Sequence, residues 1–424
     1  MMRSIWFAIL LVFFTAAARA ESTPATLEGW IAMAEDTNPG LRAANARVEA
    51  AEYAADGAGT WPAPIIGYGW FLEPVQTRVG PQEHKLSITQ ALPIFGQNGM
   101  RSEAAEATAE ATGSMRDAER DELRVRLTRL WNRLWLLDRL LEVAAEDLEL
   151  VDALQNSALS QYRAGRSSQA AVVRIELEQE RAVDELRRQE AERVPLVALI
   201  NAELGRTPAA SVTGGDRLPD SDGVPSLLTL HARLVTENRG LIAASRRTGA
   251  EASRSGLASR ERWPTLTLGA DYIFTGEANQ PGVDGSGQDA ILLRAALRVP
   301  WPSGQASDRA ARQRALHSAA AADQARLGFR LGAELEQAHF DYQEARHRLR
   351  LLEESLIPAA DQALSVTRSS FAAGESTVGD LVEIRRTRLD LTREFVRVSA
   401  DRANHHARLE LLVGGPLLVA KEEN

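Results

Sequence analysis

Leu123, Leu127, Leu130, Leu134, Leu137, Leu141, Ala144, Leu148 and Val151 step alternately by four and three along the chain. That is a heptad seam, narrower than the apolar face of an ordinary globular helix. It predicts one helix over about 98–161, which would run roughly 95 Å at 1.5 Å per residue. No compact domain of this size needs so long a rod. A counterpart is predicted over about 306–370, with Pro358 inside it. Pro195 lies inside the helix leaving the first one, and each proline is expected to kink its helix or mark a handover between two stacked ones.

Elsewhere the period changes to two. Leu266, Leu268, Ala270, Tyr272 and Phe274 face one way, and Thr265, Thr267, Gly269 and Asp271 the other. After a glycine-rich loop, Ile291, Leu293, Ala295, Leu297 and Val299 alternate with Arg294, Ala296 and Arg298. Four strands are predicted, over 65–72, 84–92, 265–274 and 290–299; the first two are joined by a loop containing Pro74, Gly80 and Pro81. Strands of about nine to eleven residues with one apolar face and aromatics near their ends match a membrane barrel. Tyr68, Trp70, Tyr272, Phe274 and Trp301 would form its aromatic girdle. The same alternation would equally serve a soluble antiparallel sheet packed on a core. Four strands cannot close a membrane barrel, which starts at about eight, and an open edge cannot sit in lipid. If these strands enter a membrane, several chains must each lend four to a symmetric ring.

The chain is a tandem repeat. Asn38-Pro39-Gly40-Leu41 returns as Asn238-Arg239-Gly240-Leu241, Trp61-Pro62 as Trp263-Pro264, Leu92-Pro93 as Val299-Pro300, and Leu204-Gly205 as Val413-Gly414. Tyr162-Arg163-Ala164-Gly165 returns as Phe371-Ala372-Ala373-Gly374. The offset grows from 200 (Asn38 to Asn238) to 209 (Tyr162 to Phe371). Each repeat, 21–214 and 215–424, is expected to hold a helix (about 26–57 and 226–262), two strands, and a long helical hairpin. The hairpin tips fall at 162–168 and 371–377. Gly165 and Gly374 suit a helix C-terminus because glycine takes the left-handed conformation without steric cost. Ser167-Ser168 and Ser376-Thr377 are N-cap candidates for the returning helices.

Composition adds an address. Met1-Met2-Arg3, an apolar run over 5–14, and Ala18-Arg19-Ala20 make 1–20 a secretory signal peptide. The run is too short for a membrane-anchor helix, which takes about 20 residues. No cysteine follows it to carry a lipid anchor, and the chain has none anywhere, so disulfides and thiolate chemistry are excluded. Removing Arg3 and Arg19 takes the formal charge from −9 to −11, which argues against a nucleic-acid partner. No later run of 18 apolar residues offers a transmembrane helix. The seven histidines form no ligand set: His405 and His406 are adjacent, and His339 and His347 lack carboxylates at ligand spacing. No metal or cofactor is expected. There is no G-x-S-x-G, no phosphate-binding G-x-x-x-x-G-K and no H-E-x-x-H, and pairs such as Glu353-Glu354 read as solvated. The chain is not expected to be an enzyme.

The collinear repeats, two strands in each, the YRAG and FAAG tips, and the stretch SITQALPIFGQNGMR (87–101) together resemble the TolC family of bacterial outer-membrane efflux ducts. The resemblance spans nearly all of the mature length. The stretch GYGWFLEPVQTRVGPQ (67–82) is similar to members that serve heavy-metal pumps of the resistance-nodulation-division type. The resemblance implies a mainly α fold with a membrane β-barrel. Three identical chains would supply four strands each to a twelve-stranded barrel, and their helices would form an α-barrel tapering at the tips. It implies an outer-membrane location in a Gram-negative bacterium, with most of the mass in the periplasm. It also implies docking on a periplasmic membrane-fusion adaptor and an inner-membrane pump, and passive conduction of cargo such as metal cations or drugs. The competing reading is a soluble periplasmic coiled-coil scaffold or adaptor; a secreted hydrolase lacks any nucleophile or acid-pair setting.

The resemblance also assigns residues. Asp380 and Glu383 fall where the family narrows its periplasmic mouth with acids, although acids in a helix first turn also simply favour the dipole. The first-repeat counterparts are Ala171 and Arg174, so that copy lacks the acids. Tyr162, Arg163, Gly165, Arg166, Ser167 and Ser168 at one tip, with Phe371, Gly374, Glu375, Ser376 and Thr377 at the other, are expected to touch the adaptor's helical hairpin.

Overall fold

A computed structural model describes residues 23–417 apart from 222, 262 and 300–303. The signal-peptide reading of 1–20 and the girdle position Trp301 lie outside the described residues. Helices α1 (Leu27–Thr37) and α2 (Pro39–Ala58) lead to strands β1 (Ile65–Thr77) and β2 (Gly80–Leu92), then α3 (Gln97–Arg163) and α4 (Gln169–Glu203). The second half repeats the order: α5 (Leu227–Glu237), α6 (Arg239–Arg260), β3 (Thr265–Thr275), β4 (Ala290–Arg298), α7 (Gln305–Leu351), α8 (Ile357–Ala373) and α9 (Val378–Val413).

The repeat is written most clearly at helix ends. Each single first helix expected from sequence is two. Asn38 and Asn238 stand at the breaks, each extended, with the side-chain oxygen accepting the N–H of Leu41 (3.1 Å) or Leu241 (2.8 Å). An Asn that caps the next helix cannot continue the previous one. Four helices end on a glycine of positive φ, at Gly165, Gly205, Gly374 and Gly414. Each following N–H bonds back to the carbonyl five residues earlier, as in Arg206 to Asn201 (2.8 Å) and Gly415 to Glu410 (3.0 Å).

The prolines act differently from one another. α4 runs through Pro195 as one helix. Before Pro358 the chain takes a π-helical turn, Leu352–Leu356, and α8 starts at Ile357. Proline removes a donor from the helical ladder, and a widened turn is a common way to absorb that loss.

The described residues form two compact units: 23–34 with 130–218 and 360–396, and 35–129 with 219–359 and 397–417. Neither coincides with a sequence repeat, because the long helices pass through both. The first unit packs Trp30 edge-on to Trp131 (centroids 5.0 Å apart), with the Trp30 indole donating to the Pro24 carbonyl (3.0 Å). The second holds a core of Leu230 and Leu234 from α5, Leu331, Leu335 and Tyr342 from α7, and Leu409, Leu412 and Val413 from α9. There the Tyr342 hydroxyl donates to the Ser221 carbonyl (2.6 Å), and the Asn238 amide ties down the Leu412 carbonyl (3.0 Å).

The second unit also carries one antiparallel sheet in the order β1-β2-β3-β4, so β1 and β4 are its edges. β1 and β2 are longer than the alternation indicated. Pro74 is absorbed by a register shift between Trp70 and Val75, and the strands meet in a tight turn at Thr77 to Gly80. Gly80 has φ 142°, and a Cβ there would stand 1.7 Å from the Gly276 carbonyl oxygen, so only glycine fits. Among the described residues no helix is long and apolar enough to cross a membrane.

Candidate functional site

The two predicted tips lie in the first unit and are built alike. Arg166 and Gly165 donate to the carbonyls of Gln161 (2.8 Å) and Tyr162 (2.9 Å); Glu375 and Gly374 donate to Ser370 (2.8 Å) and Phe371 (3.1 Å). With φ at 71° and 82°, Gly165 and Gly374 close these Schellman turns without strain. The returning helices start differently. Ser168 Oγ accepts the Ala171 N–H (3.2 Å). Thr377 Oγ1 accepts the Asp380 N–H (3.2 Å) while the Asp380 carboxylate accepts the Thr377 N–H (2.9 Å) and hydroxyl (2.7 Å). That is a reciprocal capping box, with Asp in the place of the usual Glu. Ser376 instead donates its hydroxyl to the Thr367 carbonyl (3.2 Å).

The tips are fastened side by side. Gln161 Nε2 donates to the Phe371 carbonyl (3.1 Å), and the Arg174 guanidinium lies against Gly379, 2.9 Å from where a Cβ would stand. Between them Val151, Leu154 and Ala158 of α3 meet Ile175 of α4, Leu364 and Phe371 of α8, and Val378, Leu381 and Val382 of α9.

This packing sorts the predicted contact residues. Tyr162, Arg163, Gly165, Arg166, Ser168, Gly374, Glu375 and Thr377 are exposed, and Ser167 and Ser376 are half-buried. Phe371 departs from expectation. Its sequence counterpart Tyr162 is 44% exposed, whereas Phe371 is 5% exposed because its ring fills the shared cluster. Phe371 shapes the tip and offers no side-chain surface for docking. Asp380 and Glu383 are both exposed, one turn apart on α9. The Asp380 carboxyl is held below the usual carboxylate range, first by the Thr377 backbone N–H and then by its hydroxyl. The helix-capping role is therefore observed directly.

Beneath the tips lies a charge cluster that the sequence reading missed. Arg385 donates to Asp147 (2.8 Å) and to Glu178 (2.7 Å); Arg386 donates to both Glu178 oxygens, and Arg181 to one of them (3.1 Å). Asp147, Glu178 and Arg385 are buried. Burial pushes the Asp147 carboxyl up despite Arg385 beside it. Burial opposes the Glu178 charge too, but Arg386, Arg385 and Arg181 together hold its carboxyl below the usual range. A signal was present. The three buried charges share one three-then-four spacing between apolar neighbours, Ala144–Asp147–Val151, Ile175–Glu178–Ala182 and Val382–Arg385–Leu389, although the heptad read along α3 steps past Asp147 to Leu148. Among the described residues no group of His, Cys, Asp and Glu is arranged to hold a metal ion.

The sheet of the second unit has two unlike faces. One carries the cross-strand rows Tyr68–Leu86–Tyr272–Ile291, Ile66–Ile88–Ala270–Leu293 and Leu92–Leu266–Leu297. These side chains stand in the open: Ile66 is 72% exposed, Tyr68 68% and Leu293 79%. Aromatics gather toward the hairpin end, where Tyr68 Oη bonds His84 Nδ1 (2.8 Å) and Phe274 meets Tyr272 edge-on. The opposite face carries Gly67, Gly69, Lys85, Ser87, Thr89, Thr265, Thr267, Gly269, Asp271, Arg294 and Arg298, with Ile65, Ile273 and Leu292 as its large apolar members. The apolar rows are thus turned outward from the chain, the reverse of a sheet packed on its own core.

No curated protein matches the chain in sequence. Residues 30–200 match the outer membrane efflux protein family. Solved structures match almost the whole chain. The outer membrane protein VceC from Vibrio cholerae is 19% identical, covering 92% of this chain and 97% of its own, with a TM-score of 0.76. A membrane protein from Pseudomonas aeruginosa is 17% identical over 93% and 91%, with a TM-score of 0.79. The Campylobacter jejuni CmeC outer membrane channel is 11% identical over 92% and 85%, with a TM-score of 0.77. Residues 30–200 thus match the model of outer membrane efflux proteins, and the chain as a whole takes the fold of these solved outer membrane proteins.

Proposed function

We propose that the chain is the outer-membrane exit duct of a tripartite efflux system in a Gram-negative bacterium. Three copies lend four strands each to one closed barrel, and their helices line a periplasmic passage. A periplasmic adaptor meets the hairpin tips, and an inner-membrane pump of the resistance-nodulation-division type supplies the energy. The duct conducts passively and catalyses nothing. The observation that carries this reading is the sheet: its apolar face is exposed, and the outer edges of β1 and β4 have no partner strand among the described residues. Neither feature is stable in a lone chain. Apolar area of that extent calls for lipid, and unpaired edges in lipid call for neighbours.

Because the chain contains no cysteine, introduced pairs report cleanly. Single cysteines placed along β1 and along β4 should form disulfides between chains and give a covalent three-membered ladder from envelopes. The duct reading fails if the pairs never cross-link, or if the mature protein leaves envelopes in a salt wash as a detergent-free monomer.

A further inference from the structure

The helices beside the sheet repeat its order. α2 leads into β1, β2 into α3, α6 into β3, and β4 into α7. Asn98 in the first turn of α3 donates to the Thr60 carbonyl just past α2 (3.3 Å). Arg246 of α6 pairs with Glu110 of α3 (2.5 Å), and Gln313 of α7 donates to Glu251 of α6 (2.7 Å). The layer therefore runs α2-α3-α6-α7 beside β1-β2-β3-β4. Among the described residues no hydrogen bond or ion pair joins α2 to α7. Like β1 and β4, these two helices are edges.

Each edge helix exposes a seam that its own chain leaves unused. On α2, Leu41, Ala44 and Val48 are buried, while Ala43, Ala46, Ala50, Tyr53 and Gly57 are exposed and step by three and four. On the first half of α7, Ala311, Ala315, Ser318, Ala322 and Ala325 are exposed and step by four and three. Both are heptad stripes, and apart from Tyr53 their members are small enough to let helix axes approach to about 8 Å. Small stripes alone name no partner, but the charges do. The charged residues of α2 are Arg42, Arg47, Glu49, Glu52 and Asp56, and among the described residues none makes an ion pair or side-chain hydrogen bond. Toward the sheet, over 49–58, α2 carries the three acids; over 305–314, α7 carries Asp308 against Arg309, Arg312 and Arg314. Of these arginines only Arg314 makes a side-chain bond, to the Ala310 carbonyl of its own helix (3.4 Å). Farther from the sheet the signs exchange. Over 39–48, α2 carries Arg42 and Arg47; over 315–323, α7 carries Asp323, which also pairs with Arg326 (3.2 Å).

We propose that α2 of one copy lies antiparallel along the first half of α7 of the next, stripe against stripe, with Glu49 paired to the neighbouring copy's Arg314. The inference rests on the ring reading above, because joining β4 of one copy to β1 of the next brings these two helices together. Residues 59–64 separate α2 from β1 and 299–304 separate β4 from α7, so equal spacers set the stripes level. Glu49 precedes Ala50 as Arg314 precedes Ala315, and these equivalent flanking positions meet across an antiparallel pair. Copies are then held head to tail by a helical seam as well as by strands.

The test is disulfide formation by the full chain in envelopes. Ala50→Cys combined with Ala311→Cys, or with Ala315→Cys, brackets one helical turn of register, and one of the two pairs should give the covalent three-membered ladder. Glu52→Cys with Arg309→Cys, on the far side of each helix from its stripe, should not. In detergent, Glu49→Arg and Arg314→Glu should each lower the temperature at which the assembly comes apart, and the two together should restore it. Helix pairs that stay unlinked while cysteines along β1 and β4 do link overturn the seam and leave the ring standing. If neither set links, the ring reading falls and the seam with it. A charge exchange that restores nothing overturns the pairing of Glu49 with Arg314.

Discussion

Arg385 and Asp147 lie 238 residues apart in sequence, yet the guanidinium of one donates to the carboxylate of the other at 2.8 Å inside the first unit. The second arm of the same guanidinium takes Glu178, so one side chain from α9 fastens α3 and α4 at once. Breaking a buried charge set by removing one member costs far more than the set contributes, because the survivors stay buried without partners. Arg385→Leu should therefore cost about 3–5 kcal/mol. Denaturant unfolding in detergent measures it, and Arg385→Leu with Asp147→Leu should recover part of the loss.

Acid should act on this cluster through Glu178. Its carboxyl is depressed in the folded chain, so its contribution is present above the ordinary glutamate value near 4.3 and is lost as pH falls through the lower folded value. Asp147 is shifted the opposite way and contributes no such acid limb. Stability measured from pH 7 to 3 should show a fall below about 4 that Glu178→Gln flattens and Asp147→Asn does not.

At the second tip the Thr377–Asp380 box starts α9. Thr377→Ala should cost roughly 1 kcal/mol of local stability. Amide exchange should quicken at Gly379, Asp380 and Leu381 and not at the first tip, where Ser168 caps α4 independently.

The Schellman glycines carry a separate cost. Gly374→Ala forces a Cβ into the left-handed region at φ 82°, a cost of about 1–2 kcal/mol. Gly249→Ala, in the middle of α6 with open space around the new methyl group, should be neutral or slightly stabilising. Thermal unfolding of the two variants separates conformational strain from bulk.

Asp380 and Glu383 give a functional prediction. Asp380→Ala with Glu383→Ala should raise passive leak and weaken cation block in bilayers. Because the Asp380 carboxyl is held below its ordinary range, block should outlast acidification to about pH 4. Unchanged conductance and block in the variant would remove these acids from the gate.

Much of the fold was legible because burial here is periodic. The heptad seam and the alternating strands each put one kind of residue on one face, and a period survives in sequence. What escaped was local exchange of partners. Asn38 and Asn238 read as repeat markers, but their side chains stop and restart a helix. Pro74 read as loop, but a register shift lets β1 carry on to Thr77. Tyr162 and Phe371 align in sequence and diverge in space, because only at the second tip does the ring find Val378 and Leu381 to pack on. The buried charges sit between apolar neighbours on their own helices, but the α3 heptad reads without a break through Leu148 and so hides Asp147. Only the packed helices make them complementary.

The two bare sheet edges have a genetic consequence. In the three-chain ring proposed above, a copy whose β4 edge is blocked would still accept a neighbour on β1 and so enter an assembly that it then prevents from closing. In a cell making intact and blocked chains in equal amounts, roughly one ring in eight would contain only intact ones. Edge lesions in this protein should behave as dominant poisons, whereas lesions that stop the chain from folding at all should stay recessive.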